Sequence, residues 1–324
     1  MDFGGTVQKR DDAPENPRVS VVVIFLNGEE FLHEAIESVL AQDYGSFEVI
    51  LVDDGSGPAA IAVAKRFEAE NPGRVRYIEH EGHANRGMSA SRNAGTAAAR
   101  GDLIAFIDAD DAWLPSKLTD QVAIMDSHPE VELVAGAANY WRSWQGGGDE
   151  VIQCGPVLDA PIRPPMAMLG TYPFGKAEAP CPSTFLVRKS SLIRIGGFEE
   201  SFRGMYEDQA FLAKAHLNLV VYYPSRHWLN YRQHAQSCSS SIEREGRMSK
   251  VRVDFAGWFH DYLLRINVRD GRVWRAARWH WCRVWFFHTF RMQMLMKWLE
   301  KSRTFRRARR QYWKFTAKPV RKFG

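Results

Sequence analysis

Leu103-Ile104-Ala105-Phe106-Ile107-Asp108-Ala109-Asp110-Asp111 decides the fold of this chain. Its apolar run reads as a buried strand, and it ends abruptly in three carboxylates. Carboxylates at the carboxyl end of a strand sit on the rim of a sheet, where open α/β sheets take their ligands. Packed so closely the acids repel one another, and a hard divalent cation relieves that repulsion. Mg²⁺ or Mn²⁺ held by one or two carboxylates commonly completes its shell with substrate phosphates. The plainer alternative is a solvated acidic turn, since Asp is common where strands end.

The strand closes a repeating pattern. Val19 to Phe25 is apolar and β-branched enough for a central strand. Asn27-Gly28-Glu29-Glu30 then starts a helix, with Asn27 able to cap it. Phe31, Leu32, Ala35, Ile36, Val39 and Leu40 give that helix one apolar face. A second strand, 47–52, ends in Asp53-Asp54-Gly55-Ser56. A helix over 59–70, a short strand at 75–78 and a small-residue helix over 89–100 complete a β-α-β-α-β-α-β alternation. Such alternation implies a mostly parallel sheet covered by helices. Further on, the pattern predicts a helix over 117–126, a strand over 131–137, and strands at 184–187 and 220–223 flanking a helix near 207–217. The Gly- and Pro-rich stretch 145–182 reads as an irregular excursion. From about 246 the pattern is helical to the end, and no internal repeat is visible.

A chain of 324 residues, 45% of them apolar, has room for two average domains or one large α/β domain with an appendage. Residues 1–17 read as a flexible leader without a signal-like apolar segment. No stretch approaches the ~18 apolar residues of a membrane-spanning helix. Cys154, Cys181, Cys238 and Cys282 are scattered, which suits a reducing cytoplasm and argues against a zinc site or disulfide framework. The net charge of +5 hides an asymmetry. Sixteen of the 43 Lys and Arg, but only Glu300 of the 38 acids, lie in 272–324, a net +15 that leaves −10 for the rest. An anionic partner for the tail follows from that contrast.

If the strands ending at Asp53-Asp54 and at Asp108 are neighbours, both acidic ends share one rim. That arrangement suits a nucleotide: one acid accepts from the base or ribose, and the other holds a metal on the diphosphate. Between them, Asn85-Arg86-Gly87 opens a helix that also carries Arg92, and a helix N-terminus is a ready anion site. A glycine turn with two surface arginines is the plainer reading of that segment.

Together, and in this order, the motifs resemble family 2 glycosyltransferases, which share the GT-A fold. The resemblance rests on Val19-Ser20-Val21-Val22-Val23, Asn27, Ser38 to Gln42, and Phe47 to Ser56. It continues through Gly87 to Gly95, Phe106 to Asp111, Gly196 to Glu200 and Tyr206-Glu207-Asp208, spanning roughly residues 18–240. It implies an α/β fold with a Rossmann-like nucleotide-binding half over 18–112 and an acceptor half over 113–245; the pattern and composition beyond add a helical, basic, Trp-rich extension over 246–324. It also implies that Asp54 binds the base with Asp53 beside it, while Asn27, Arg86 and Arg92 complete the nucleotide-sugar contacts. Asp108 would lie against ribose and metal, and Asp110 would bind the metal, Mn²⁺ or Mg²⁺. Asp208, with Glu207 beside it, matches the catalytic base of an inverting transfer. The segment from Tyr231 to Ser237 adds His234 as a candidate metal or diphosphate ligand.

The departures matter too. Ile24 and Leu26 stand where relatives often carry Thr or Pro and an aromatic, which bears on base recognition. No Q-x-x-R-W motif of the processive, polymer-exporting members is present. The expected activity is therefore single-sugar transfer from a nucleotide-sugar, UDP-linked by preference, to a glycan or lipid-linked glycan of the cell surface. A non-catalytic nucleotide-sugar or glycan-binding scaffold and a sugar nucleotidyltransferase are the rivals. The first gains nothing from a base, and the second lacks its Gly-rich phosphate loop after the first strand. In the tail, Trp274, Trp279, Trp281, Trp285 and Trp298 alternate with arginines, a mixture that favours the headgroup region of an anionic membrane. Val273, Ala276, Ala277, His280, Val284 and Phe287 approximate one helical face. The expected location is peripheral, at the cytoplasmic face of a membrane. No nucleic-acid partner is expected, because no recognised binding motif accompanies the charge.

Overall fold

The computed structural model describes residues 15–235, 237 and 246–289. Most of the expected leader, and the tail from 290 with its basic cluster, lie outside these residues. The frame is four parallel strands, β1 (Val19–Phe25), β2 (Phe47–Asp53), β3 (Val75–Glu79) and β4 (Leu103–Asp108), in the spatial order β3-β2-β1-β4. Helices α1 (Glu29–Leu40), α2 (Pro58–Glu70) and α3 (Met88–Ala98) connect them. Every residue of β1 and β2 is buried, as expected of strands covered on both faces. Val19, Val21, Val23 and Phe25 join Leu32, Ile36 and Val39 of α1 in one core layer. Val22 and Ile24 point to the other layer.

Gly95 lets α3 lie directly on the sheet. A Cβ there would fall 2.3 Å from Val22 Cγ1 and 3.1 Å from Val52 Cγ2. Gly95→Ala is expected to cost about 1–3 kcal/mol through overpacking. A lower urea midpoint is the readout, and an unchanged midpoint would show that the helix can retreat from the sheet.

Beyond β4 come β5 (Ala112–Trp113), α4 (Lys117–Ser127), β6 (Leu133–Val134), β7 (Ala137–Trp141), β8 (Glu150–Ile152), β9 (Pro161–Ile162) and α5 (Met166–Gly170). They are followed by β10 (Leu186–Arg188), α6 (Lys189–Arg194), α7 (Glu207–Asn218), β11 (Val221–Tyr222) and β12 (His227–Arg232). The main sheet continues as β4-β10-β6-β11-β9, with β10 antiparallel to both of its neighbours. The strand expected over 131–137 is two strands. The chain leaves the main sheet after Val134 and enters a second sheet, β5-β12-β7-β8, at Ala137. The excursion 145–182 contains β8, β9 and α5, each of five residues or fewer, too short for periodicity to register.

The helical extension is α8 (Met248–Arg265) followed by α9 (Gly271–Thr289). The break falls at Asn267, whose φ is 53°, and Asp270 accepts a bond from the Arg272 N–H at 2.8 Å to restart the helix. Phe255, Phe259 and Leu263 of α8 pack against Tyr206 and against Ala210 and Ala213 of α7. Val273, Ala277, His280 and Val284 of α9 are buried, which is the face expected from the sequence. Among the described residues, no helix is long and apolar enough to cross a membrane.

Candidate active site

Strand register builds the site. Phe25 pairs with Asp53 and Ile24 with Asp108, so the carboxyl ends of β2, β1 and β4 form a single rim. The chain runs outward from β1 to β3 and then returns to the other side of β1 as β4. A crevice opens at such a switch point. A cavity of about 790 Å³ lies there, lined by residues 24–31 after β1, by Asp54, Asn85 and Gly87, and by Asp108 and Asp110. Glu207, Asp208, Tyr231 and His234 line it as well.

The two aspartates after β2 differ in role. Asp53 is fully buried and closes its own turn, accepting from Gly55 N–H at 3.1 Å and Ser56 N–H at 2.8 Å. Asp54 reaches across to the loop before α3 and accepts from Arg86 N–H at 2.7 Å and Gly87 N–H at 2.9 Å. Thus Asp54 lines the cavity, whereas Asp53 and the Arg86 side chain do not. Asn27 is on the cavity wall but does not cap α1. Its Oδ1 accepts from Gly57 N–H at 2.7 Å, tying the β1 and β2 loops together, and Gly28 stands at the cap position.

Arg92 departs most from the sequence reading. It is fully buried and does not line the cavity. Its guanidinium donates to Asp108 Oδ1 at 2.7 Å and to Glu207 Oε1 at 3.4 Å, over the ring of Phe198. Instead of an anion-binding arm, it is a brace between β4 and α7. Sequence signals for this exist: Arg92 precedes Gly95 by three residues and Thr96 by four, which places it on the inward face of α3.

The acids after β4 are under-compensated. Burial, with repulsion from Asp110, pushes the Asp108 carboxyl up despite Arg92 beside it. Burial and then Asp110 and Asp108 push Asp111 up further. His234 Nε2 lies 2.9 Å from Asp110 Oδ2, and Arg232 donates from Nε to the Asp110 carbonyl at 2.8 Å. Crowded hard oxygen donors, with Asp108 and Asp110 facing the cavity, fit a hard divalent cation. Among the described residues the one group of three whose ligand atoms lie within 4.8 Å of one another is Asp53, Glu79 and His83, which could hold a metal ion; Asp108, Asp110 and His234 do not come together that closely. None of those three lines the cavity.

At the opposite wall, α7 begins at Glu207-Asp208. Both carboxyls are pushed up, chiefly by burial. Asp208 Oδ1 accepts from Gln209 N–H at 2.7 Å and Oδ2 from Gln209 Nε2 at 3.2 Å, so both its oxygens are oriented. Sequence reasoning missed Arg203, whose Nη2 donates to Asn85 O at 2.7 Å. Among the described residues it is the one Lys or Arg lining a cavity that also carries Glu29, Glu30, Asp54, Asp108, Asp110, Glu207 and Asp208. No motif marks it.

The profile of glycosyl transferase family 2 matches residues 20–196, more than half of the chain. The chain belongs to glycosyltransferase family 2. EpsE of Bacillus subtilis, a glycosyltransferase by name, is 31% identical over 182 residues, 56% of this chain and 60% of that protein. Glycosyltransferase GlyA of Streptococcus pneumoniae is 36% identical over 97 residues, 30% of this chain and 13% of that protein. Across the first three curated relatives, the match spans 35–60% of their length. Among solved structures, residues 1–349 of S. aureus TarS superpose with a TM-score of 0.60 at 21% identity, over 85% of this family 2 chain and 73% of that one. The mannosyltransferase PcManGT of Pyrobaculum calidifontis, in complex with GDP-Man and Mn²⁺, gives 0.52 at 17% identity, over 86% and 76%. These likenesses establish the GT-A fold of this family 2 member.

Proposed function

We propose that the chain is an inverting transferase that moves one sugar from a nucleotide-sugar to a glycan or lipid-linked glycan acceptor. The observation that carries this is the meeting of Asp54, Asp108, Asp110 and Asp208 on one cavity, from three separate segments of the chain. Asp54 holds the base end of the donor. Asp108 and Asp110, with His234 beside them, would hold a divalent ion, which when bound offsets charge on the departing diphosphate. Arg203 supplies the cation on the other side of that diphosphate. Asp208 takes the proton of the acceptor hydroxyl as its oxygen bonds to the anomeric carbon, and the bond from that carbon to phosphate breaks with its electron pair on the nucleoside diphosphate. Support for a UDP-linked donor comes from TarS, whose residues 1–349 are also known in complex with UDP-GlcNAc.

The test is a thermal-shift and hydrolysis screen of nucleotide-sugars with Mn²⁺, with Mg²⁺ and with EDTA. Metal-dependent stabilisation by one donor, with slow release of sugar and nucleoside diphosphate, is expected. Pyrophosphate exchange instead would make the chain a nucleotidyltransferase. Binding without turnover would make it a scaffold. Arg203→Ala is expected to raise the donor KM about tenfold, a lost charge-assisted contact, with kcat little changed. An unaltered KM would remove Arg203 from the donor site.

The tail points to a membrane surface. Trp279, Trp281, Trp285 and Phe286 keep 40–57% of their surface exposed, between the exposed Arg275, Arg278 and Arg283. Flotation with phosphatidylglycerol vesicles, weakening as salt rises, is expected. Replacing the three arginines with Gln should cost about 1 kcal/mol each near such a surface. Equal binding to neutral vesicles would argue that charge has no part in it. Placement at the cytoplasmic face of the membrane belongs to the same proposal.

A further inference from the structure

Arg232, the last residue of β12, is a buried cation with no part in the chemistry proposed above; only 4% of its surface is exposed. A guanidinium out of water is costly unless both its donors and its charge find partners. Here Nε donates to the Asp110 carbonyl at 2.8 Å, and Nη2 donates to the Glu34 carboxylate on α1. The Arg232 backbone N–H donates to Asp111 Oδ1 at 3.1 Å. Three rings wall the cation in, with the guanidinium carbon 4.7 Å from the centroid of Phe31, 4.2 Å from that of Trp141 and 4.9 Å from that of Trp144. Attraction between a cation and a ring face is strongest where water is excluded. Trp141 is the register partner of Arg232 on β7, so the second sheet itself brings that ring alongside. Two residues on, His234 leans on the same Phe31 ring, centroids 5.1 Å apart, and its Nε2 lies 2.9 Å from Asp110 Oδ2. Asp110 is thus gripped by its backbone from Arg232 and by its carboxylate from His234.

We propose that Arg232 is a positioning residue for the divalent ion: from its aromatic box it holds the loop after β4 by the Asp110 carbonyl, and so keeps the Asp108 and Asp110 carboxylates turned to the cavity. The second sheet is then a working part of the donor site as well as a support. The inference rests on the assignment of Asp108 and Asp110 as ligands of that ion, made above. The backbone bond to Asp111 survives any substitution, so the share of the side chain is its grip on Asp110. Groups that orient metal ligands set metal affinity by ten- to a hundredfold. Lys is the informative replacement. It keeps a charge for Glu34 and the rings, but one ammonium lacks the planar fork that serves the Asp110 carbonyl and Glu34 at once. Asp54, on the loop after β2, belongs to a different segment and stays in place.

The test measures Mn²⁺ binding, by loss of the free-ion electron paramagnetic resonance signal, in the full chain and in Arg232→Lys and Trp144→Leu. UDP or GDP is present, whichever stabilises the wild-type chain. Arg232→Lys should bind Mn²⁺ about tenfold more weakly, with the calorimetric Kd for the same nucleotide in EDTA unchanged. Excess Mn²⁺ should restore most of its turnover. A residue that only supports the fold would give neither that split nor that rescue. Trp144→Leu leaves every hydrogen bond of the guanidinium in place and opens one wall of the box. It should weaken Mn²⁺ about threefold, and it carries the test if Arg232→Lys does not fold. Wild-type Mn²⁺ affinity in Arg232→Lys would overturn the proposal, as would equal losses for Mn²⁺ and for the nucleotide in EDTA. Binding needs no turnover, so the expected split in a chain that transfers no sugar would sink the transferase reading and keep this one. A wild-type chain that binds no Mn²⁺ would remove the ion from the site, and this proposal with it.

Discussion

Asp208→Asn is expected to lower the transfer rate by about 10²–10⁴-fold, the usual contribution of a positioned general base, with nucleoside diphosphate affinity unchanged. The substitution is nearly isosteric, and an amide oxygen can still accept from the Gln209 N–H that now bonds Oδ1 at 2.7 Å. What disappears is the ability to take a proton. Burial pushes the Asp208 carboxyl up, nearer to the operating range where a base combines ionisation with proton affinity. Because Asp208 stands on α7 and the base and metal residues stand on the loops after β2 and β4, binding and chemistry should separate cleanly. The check is kcat beside a calorimetric Kd for the nucleoside diphosphate. Undiminished turnover would take Asp208 out of the mechanism, and a matching loss in affinity would make it a donor-binding residue instead.

How much of this was legible in the chain depends on how locally each feature is encoded. The parallel frame was, because β1, β2 and β4 are apolar runs bounded by helices of clear periodicity. The rim acids were legible for the same reason: Asp53 and Asp108 end their strands in the sequence and in the sheet. The second sheet was not. Its strands pair across long separations, as Asn230 with Asn139, and the chain passes into it within the stretch 131–137, where Gly136 alone punctuates the pattern. Nor could burial of a cation be read from its type. Arg86 and Arg92 are one residue type, and only the helical spacing of Arg92 to Gly95 and Thr96 separates them: Arg86 contributes its backbone to Asp54, and Arg92 is walled in by β4 and α7. Arg203 is the converse case, an unremarkable loop residue that the turn before α7 carries back to Asn85. In the tail, the Val273–Ala277–His280–Val284 stripe was legible as the packed face, and Trp279 and Trp285 stay exposed.

Arg92→Met is expected to have the largest effect on stability, a loss of about 3–5 kcal/mol, the usual cost of removing one partner from a buried ion pair. The guanidinium is itself fully buried and lies 2.7 Å from Asp108 and 3.4 Å from Glu207. Met keeps much of the volume, so packing over Phe198 changes little and the loss is electrostatic. Arg92→Lys should fall between, because one ammonium cannot reach both carboxylates in the fork geometry of Arg. If the two acids are the cause, Glu207→Gln in the Arg92→Met background should return part of the loss, and a double-mutant cycle should give a coupling above about 0.5 kcal/mol. The pH dependence has a definite sign. Burial, with Asp208 beside it, raises Glu207 to about 8 in the folded chain, against the ordinary glutamate value when unfolded. Through that window the folded state binds the extra proton, so its stability is greatest at the acid end and falls as pH rises. Arg92 opposes this rise, and without it the window extends upward past pH 8. The deficit of Arg92→Met should therefore widen as pH rises above 8, where the wild-type carboxyl has ionised and the variant's has not, measured as urea midpoints at each pH. A deficit constant from below to above pH 8 would mean that Arg92 acts by filling space, and that the charge between β4 and α7 is balanced by other groups.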